Sequence, residues 1–105
     1  MERTDMGWVK DALKELEAGR QAKIRPVGGS MRGRIESGQL VTIAPIDPIE
    51  AQVDDVVFVE WRGNYLLHLI KETRDGQYLI GNNVGNVNGW VAASAIKARV
   101  VEVDD

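Results

Sequence analysis

The chain changes from a helical to a strand-like pattern after Gly19, and this change limits its fold more than any other feature. No later segment keeps apolar residues at a helical period, whereas β-branched and aliphatic residues come in short runs separated by turn residues. The runs predict strands at residues 23–27, 40–44, 55–61, 65–72, 77–80 and 96–103. The sequence therefore predicts a mostly β domain.

One amphipathic helix is predicted ahead of the strands, over residues 4–18. Apolar residues recur there at spacings of three and four, with charged residues on the other faces. The apolar positions are Met6, Val9, Leu13 and Leu16. Gly19 is suited to end the helix, because glycine readily adopts the left-handed conformation of a C-terminal cap.

The connections between the strands are also readable. Short segments at 62–64 and 74–76 contain glycine with Asn or Asp, which is typical of tight hairpin turns, so three consecutive strands should form a meander. Two prolines within 45–54 predict a surface connection there. Residues 81–89 hold three glycines and four asparagines, which predicts a shaped loop and not a strand.

Length and composition favour one compact unit, with a helix and connector at 1–22 and a β domain at 23–105. The chain has 105 residues, of which 44% are hydrophobic and 28% charged. It has no cysteine and no apolar run of membrane-spanning length. A net charge of −3 argues against a nucleic-acid partner. We expect a cytoplasmic protein without membrane contact, and we assign no metal to its acidic residues.

A serine behind two glycines and a single histidine are the candidates for chemistry. Ser30 follows Gly28 and Gly29, which permit a tight turn with the hydroxyl open to a peptide. Serine needs a positioned base to act as a nucleophile. His68, the only histidine, lies within a predicted strand, and histidine is the residue type that most often serves as a general base. A Ser30/His68 dyad is one interpretation; an ordinary turn serine and a buried core histidine are the alternative.

Ordered blocks of the chain resemble the peptidase domain of LexA-like and UmuD-like self-cleaving proteins, which share a clan with type I signal peptidases. The blocks are Gly28-Gly29-Ser30-Met31 and residues 35–43, 54–59, 66–70 and 78–83. When Asn83 is matched to the asparagine of the family's Pro-x-Asn turn, His68 falls on the catalytic lysine. Lys71 would need a shift of three and would face the other side of the strand. Signal peptidases of the endoplasmic reticulum also use histidine at this position.

The resemblance implies a twisted antiparallel β fold and a serine endopeptidase that works by acyl transfer without a cofactor. Ser30 would attack a peptide carbonyl after His68 takes its proton, and backbone N–H groups around Gly29 would hold the oxyanion. Gly28 would border that oxyanion hole, and Met31 would line the adjacent substrate pocket. The substrate would be a protein or peptide lying extended along a strand edge.

Three further interpretations stay open. Ala18-Gly19 matches the Ala-Gly bond that LexA-like proteins cut, which would make self-cleavage the activity, although Gly19 is already explained as a helix terminator. The same scaffold could instead be a catalytically inactive module for homodimerisation or peptide binding. The third interpretation is a regulator that retains the oligomerising half of a repressor. The ~25 residues ahead of Ile24 are too few, however, for a helix-turn-helix DNA-binding domain.

Overall fold

The structure, a computed structural model, describes residues 5–26 and 31–104, with side chains from residue 9 onward. A single described helix, α1 (Asp5–Glu17), precedes seven strands, and short 3-10 turns lie at Pro48–Glu50 and Ala93–Ala95. The strands are β1 (Ala22–Ile24), β2 (Leu40–Ala44), β3 (Val56–Trp61), β4 (Asn64–Arg74), β5 (Gln77–Gly81), β6 (Val87–Ala92) and β7 (Ile96–Asp104). The predicted mostly β fold with one helix near the N-terminus is confirmed.

All seven strands form one antiparallel sheet in the order β1-β2-β7-β3-β4-β5-β6. β7 lies between β2 and β3, so it joins the two halves of the sheet. β3 to β6 follow one another as a meander. The turns after β3 and β4 place Arg62 and Asp75 at φ angles of 50° and 51°, each followed by a glycine, as tight hairpin turns require.

The sheet buries apolar side chains on both faces, and a separate cluster covers each face. Because strand side chains alternate, Phe58 of β3 points to one cluster while Val57 and Val59 point to the other. The helix-side cluster includes Val9, Leu16, Met31, Ile35, Val41, Ile43, Phe58, Leu67 and Leu69. The meander-side cluster includes Val57, Val59, Ile70, Tyr78, Ile80, Val91 and Ile96.

The predicted loop at 81–89 is wrong at both ends, because β5 continues to Gly81 and β6 begins at Val87. Pairing with β5 compensates for the poor strand propensity of glycine. Gly89 also has a packing role: a Cβ built there would lie 2.8 Å from Cη2 of Trp61 in β3. The meander therefore curls until β3 meets β6, although the two strands are not neighbours in the sheet.

The end of α1 is closed by a glycine cap. The N–H of Gly19 donates to the Leu16 carbonyl at 3.0 Å, and the N–H of Arg20 donates to the Glu15 carbonyl at 2.9 Å. Gly19 has a φ of +81°, so these bonds form a Schellman motif. No helix in the described segments has the length and apolarity needed to cross a membrane.

Candidate active site

The residues directly after Ser30 form a turn that is anchored in the core. The Met31 carbonyl accepts hydrogen bonds from the N–H groups of Arg34, at 3.0 Å, and Ile35, at 2.8 Å. The side chains of Met31 and Ile35 are only 4% and 3% exposed and pack in the helix-side cluster. Met31 therefore reaches the core, and its predicted part in lining a substrate pocket stays a prediction.

The carboxamide of Asn83 binds this turn from the loop after β5. Its Nδ2 donates to the Arg32 carbonyl at 2.7 Å, while its Oδ1 accepts from Nε of Arg34 at 3.1 Å. Both halves of the amide have a partner, and the two partners fix its orientation because a carbonyl can only accept and a guanidinium can only donate. Asn83 thus links the turn to the hairpin formed by β4 and β5.

Arg34 extends the same contact to the segment before β3. Its guanidinium donates to the Asp54 carbonyl at 3.3 Å, and Nη2 lies 3.7 Å from the Asp54 carboxylate. The two side chains are 41% and 75% exposed. Exposed ion pairs are worth roughly 0–1 kcal/mol, so this contact adds little to stability. Its main effect is to position the turn 31–35 against the segment before β3.

His68 lies in the middle of β4, opposite Val57 of β3, and is 7% exposed. Its Nδ1 lies 2.5 Å from the Leu67 carbonyl oxygen. Because a carbonyl only accepts, Nδ1 must carry the proton of this hydrogen bond. In the neutral ring, Nε2 then holds the lone pair, which is the nitrogen available to accept a proton.

Strand alternation places His68 and Met31 on different sides of β4. His68 shares its side with Leu66 and Ile70, whereas Met31 packs with Leu67 and Leu69. Gly28, Gly29 and Ser30 lie outside the described residues, so the Ser30/His68 dyad and the glycine oxyanion hole stay predictions.

The β4–β5 ladder ends at Leu69 and does not include its neighbour His68. The last pair is Leu69 with Gly81, and the chain after Gly81 leaves the ladder. Consequently, none of the described strands pairs with residues 64–68 of β4 on the side away from β3. A strand edge that no described strand pairs can hold an extended peptide by backbone hydrogen bonds. The sequence did not reveal this edge, because only the register shows where β5 ends.

Lys71 lies on the other side of β4 from His68, as the sequence predicted. The ladder shifts its register between Ile70 and Glu72, which leaves Lys71 as an extra residue. Its side chain runs over Gly81, where a built Cβ would lie 3.0 Å from the Lys71 Cε. The Lys71 side chain therefore lies beside the end of β5.

Comparison of the chain with protein-family models, with curated proteins and with solved structures finds no match in any of the three. The resemblance to LexA-like peptidases accordingly stays a hypothesis that depends on the residues themselves.

Proposed function

We propose that this protein is a serine endopeptidase in which Ser30 is the nucleophile and His68 is the general base. The observation that supports this best is the hydrogen bond between His68 Nδ1 and the Leu67 carbonyl. This bond suits the tautomer that carries its proton on Nδ1 and leaves Nε2 to accept one, and Nε2 is the nitrogen that a general base uses in serine hydrolases. A histidine reaches this neutral state near physiological pH with little perturbation.

In the proposed reaction, Nε2 of His68 takes the proton of Ser30 Oγ while Oγ bonds to the scissile carbonyl carbon. Backbone N–H groups around Gly29 stabilise the oxyanion, each contributing about 3 kcal/mol. His68 then gives its proton to the leaving amine, and water hydrolyses the acyl-enzyme by the same steps in reverse roles. This chemistry requires the Ser30 hydroxyl to come within hydrogen-bond distance of Nε2 of His68.

The proposed substrate is an extended segment of a protein, held at residues 64–68 of β4 along the edge that no described strand pairs. This edge ends at His68, so a peptide added there would pass the base. A substrate on another molecule is favoured over self-cleavage, because the Ala18–Gly19 bond is enclosed in the cap of α1 and is not extended. A cytoplasmic location belongs to the same proposal.

A fluorophosphonate probe tests the proposal, because it labels an activated serine irrespective of the natural substrate. We expect labelling of the wild-type protein and its loss in Ser30→Ala and His68→Gln, each checked for native circular dichroism. Lys71→Ala is the matched control and should still be labelled. The pH profile of labelling should rise with deprotonation of a single group.

Two outcomes would overturn the proposal. Loss of labelling in Lys71→Ala together with retention in His68→Gln would transfer the base role to Lys71. Absence of labelling in the folded wild-type protein would favour the inactive module, which sedimentation analysis and peptide-binding measurements would then test as a homodimer or peptide binder.

A further inference from the structure

Three separate parts of the chain are joined through the side chains of Asn83 and Arg34. They are the turn 31–35, the segment that precedes β3, and the loop that follows β5. Asn83 contacts the first directly, and Arg34 carries the contact onward to Asp54. These contacts join residues that are 49 and 51 positions apart in the sequence. The carboxamide is therefore a long-range connection and not a local turn contact.

The turn is shaped to receive this carboxamide. Gly33, between the two residues that Asn83 binds, has a φ of +99°, and a Cβ built on it would lie 2.9 Å from Nδ2 of Asn83. Any side chain at Gly33 would therefore push the carboxamide away. Gly38 provides a comparison: its φ is +88°, but a Cβ there would meet nothing within 4 Å.

Asn83 is itself held in place by the loop that carries it. The side chain of Asn82 accepts hydrogen bonds from the N–H groups of Val84, at 3.0 Å, and Asn86, at 2.9 Å, while the Asn82 N–H donates to the Asn86 carbonyl. This loop starts directly after the last β4–β5 pair, Leu69 with Gly81. The loop is thus attached to the strand of His68 at a fixed register.

We propose that Asn83 is a positioning residue that fixes the turn 31–35, which follows Ser30 in the chain, relative to the hairpin that carries His68. It binds the turn that begins one residue after Ser30, and it extends from the hairpin that carries His68. This inference rests on the proposed function for its effect on rate, while the hold on the turn is a property of the fold alone. A displacement of about 1 Å between a nucleophile and its general base can lower a rate by roughly a hundredfold.

The test uses the full chain and four variants: Asn83→Ala, Asn83→Asp, Gly33→Ala and Gly38→Ala. Asn83→Asp keeps the acceptor for Arg34 but loses the donor to the Arg32 carbonyl. Hydrogen exchange reports the hold on the turn through the N–H groups of Arg34 and Ile35. The fluorophosphonate labelling rate, measured across pH, reports the effect on the proposed dyad.

In the two Asn83 variants and in Gly33→Ala, we expect the Arg34 and Ile35 amides to exchange about tenfold faster than in the wild type. We expect the fluorophosphonate labelling rate of these variants to fall by about tenfold. The apparent pKa of the labelling profile should not move, because the base is unchanged. Gly38→Ala, which carries a similar backbone strain without the contact, should stay within about threefold of the wild type in both measurements.

The two proposals fail in different ways. If the wild-type protein is not labelled, the proposed function fails, and the exchange rates alone still decide whether Asn83 holds the turn. Wild-type exchange and wild-type labelling in Asn83→Ala would overturn the positioning role. A shift in the pH profile of Asn83→Ala would also overturn it, because that result would mean that Asn83 alters the base itself.

Discussion

Replacing Thr42 by valine should stabilise this protein, although Thr42 is a buried residue of β2. Its side chain is 3% exposed, and Oγ1 has no hydrogen-bond partner among the described residues. Its neighbours in the sheet, Lys23 of β1 and Glu102 of β7, are both exposed. Within the described part of the chain, this hydroxyl has therefore left water without gaining a hydrogen bond.

The expected gain follows from the cost of burying such a hydroxyl, which mutational data place at about 1–3 kcal/mol. Valine has nearly the same shape and the same branching at Cβ, so packing and strand propensity change little. We expect Thr42→Val to raise the free energy of unfolding by about 1–2 kcal/mol. For a domain of this size, each kcal/mol raises Tm by roughly 4–8 °C.

Urea unfolding monitored by tryptophan fluorescence measures this change, with Thr42→Ser as the control. The serine variant keeps the hydroxyl and loses the methyl group, so it should be less stable than the wild type by roughly 1 kcal/mol. A Thr42→Val protein that is less stable than the wild type would refute the argument, because it would show that Oγ1 makes a bond worth more than its burial costs.

Two further outcomes follow from contacts at Gly81 and at Glu15. Gly81→Ala should lower the free energy of unfolding by about 1–3 kcal/mol in urea, since the new Cβ would meet the Asn86 carbonyl; a loss below about 0.5 kcal/mol would contradict this. The hydrogen bond and the charge of Arg20 hold the pKa of the Glu15 carboxyl below its ordinary value of 4.5. Any stabilisation from this pair is therefore present above pH 4.5 and is lost as pH falls through the lowered value. NMR titration should show the Glu15 midpoint returning to its ordinary value in Arg20→Gln, and an unchanged midpoint would contradict the assignment.

Local patterns predicted most of the elements but not their limits. The helix predicted at 4–18 is found at Asp5–Glu17, because the apolar period and Gly19 both act within a few residues. The strand predicted at 23–27 ends instead at Ile24, two residues before Pro26, which has no N–H to donate to a ladder. β6 was missed because its glycine and asparagine content hides a strand that pairing with β5 supports.

The candidate site was predictable only in part. Residue type and the resemblance pointed to Ser30 and His68, whose pairing stays a prediction, and the resemblance also pointed to Asn83. The bonds from Asn83 to Arg32 and Arg34 had no signal in the sequence, because they join residues about fifty positions apart. The edge of β4 that no described strand pairs was equally hidden, since it depends on the residue at which β5 leaves the ladder.

The central place of β7 has a consequence for how the protein is made. β1 and β2 form one hairpin-like pair and β3 to β6 form a meander, and β7 is the strand that joins them. During synthesis on the ribosome, the β1–β2 pair and the β3–β6 meander cannot be joined into one sheet until residues 96–104 have left the exit tunnel. We therefore expect assembly of the complete sheet to be late and slow, with the unpaired edges of β2 and β3 open to chaperones until that moment.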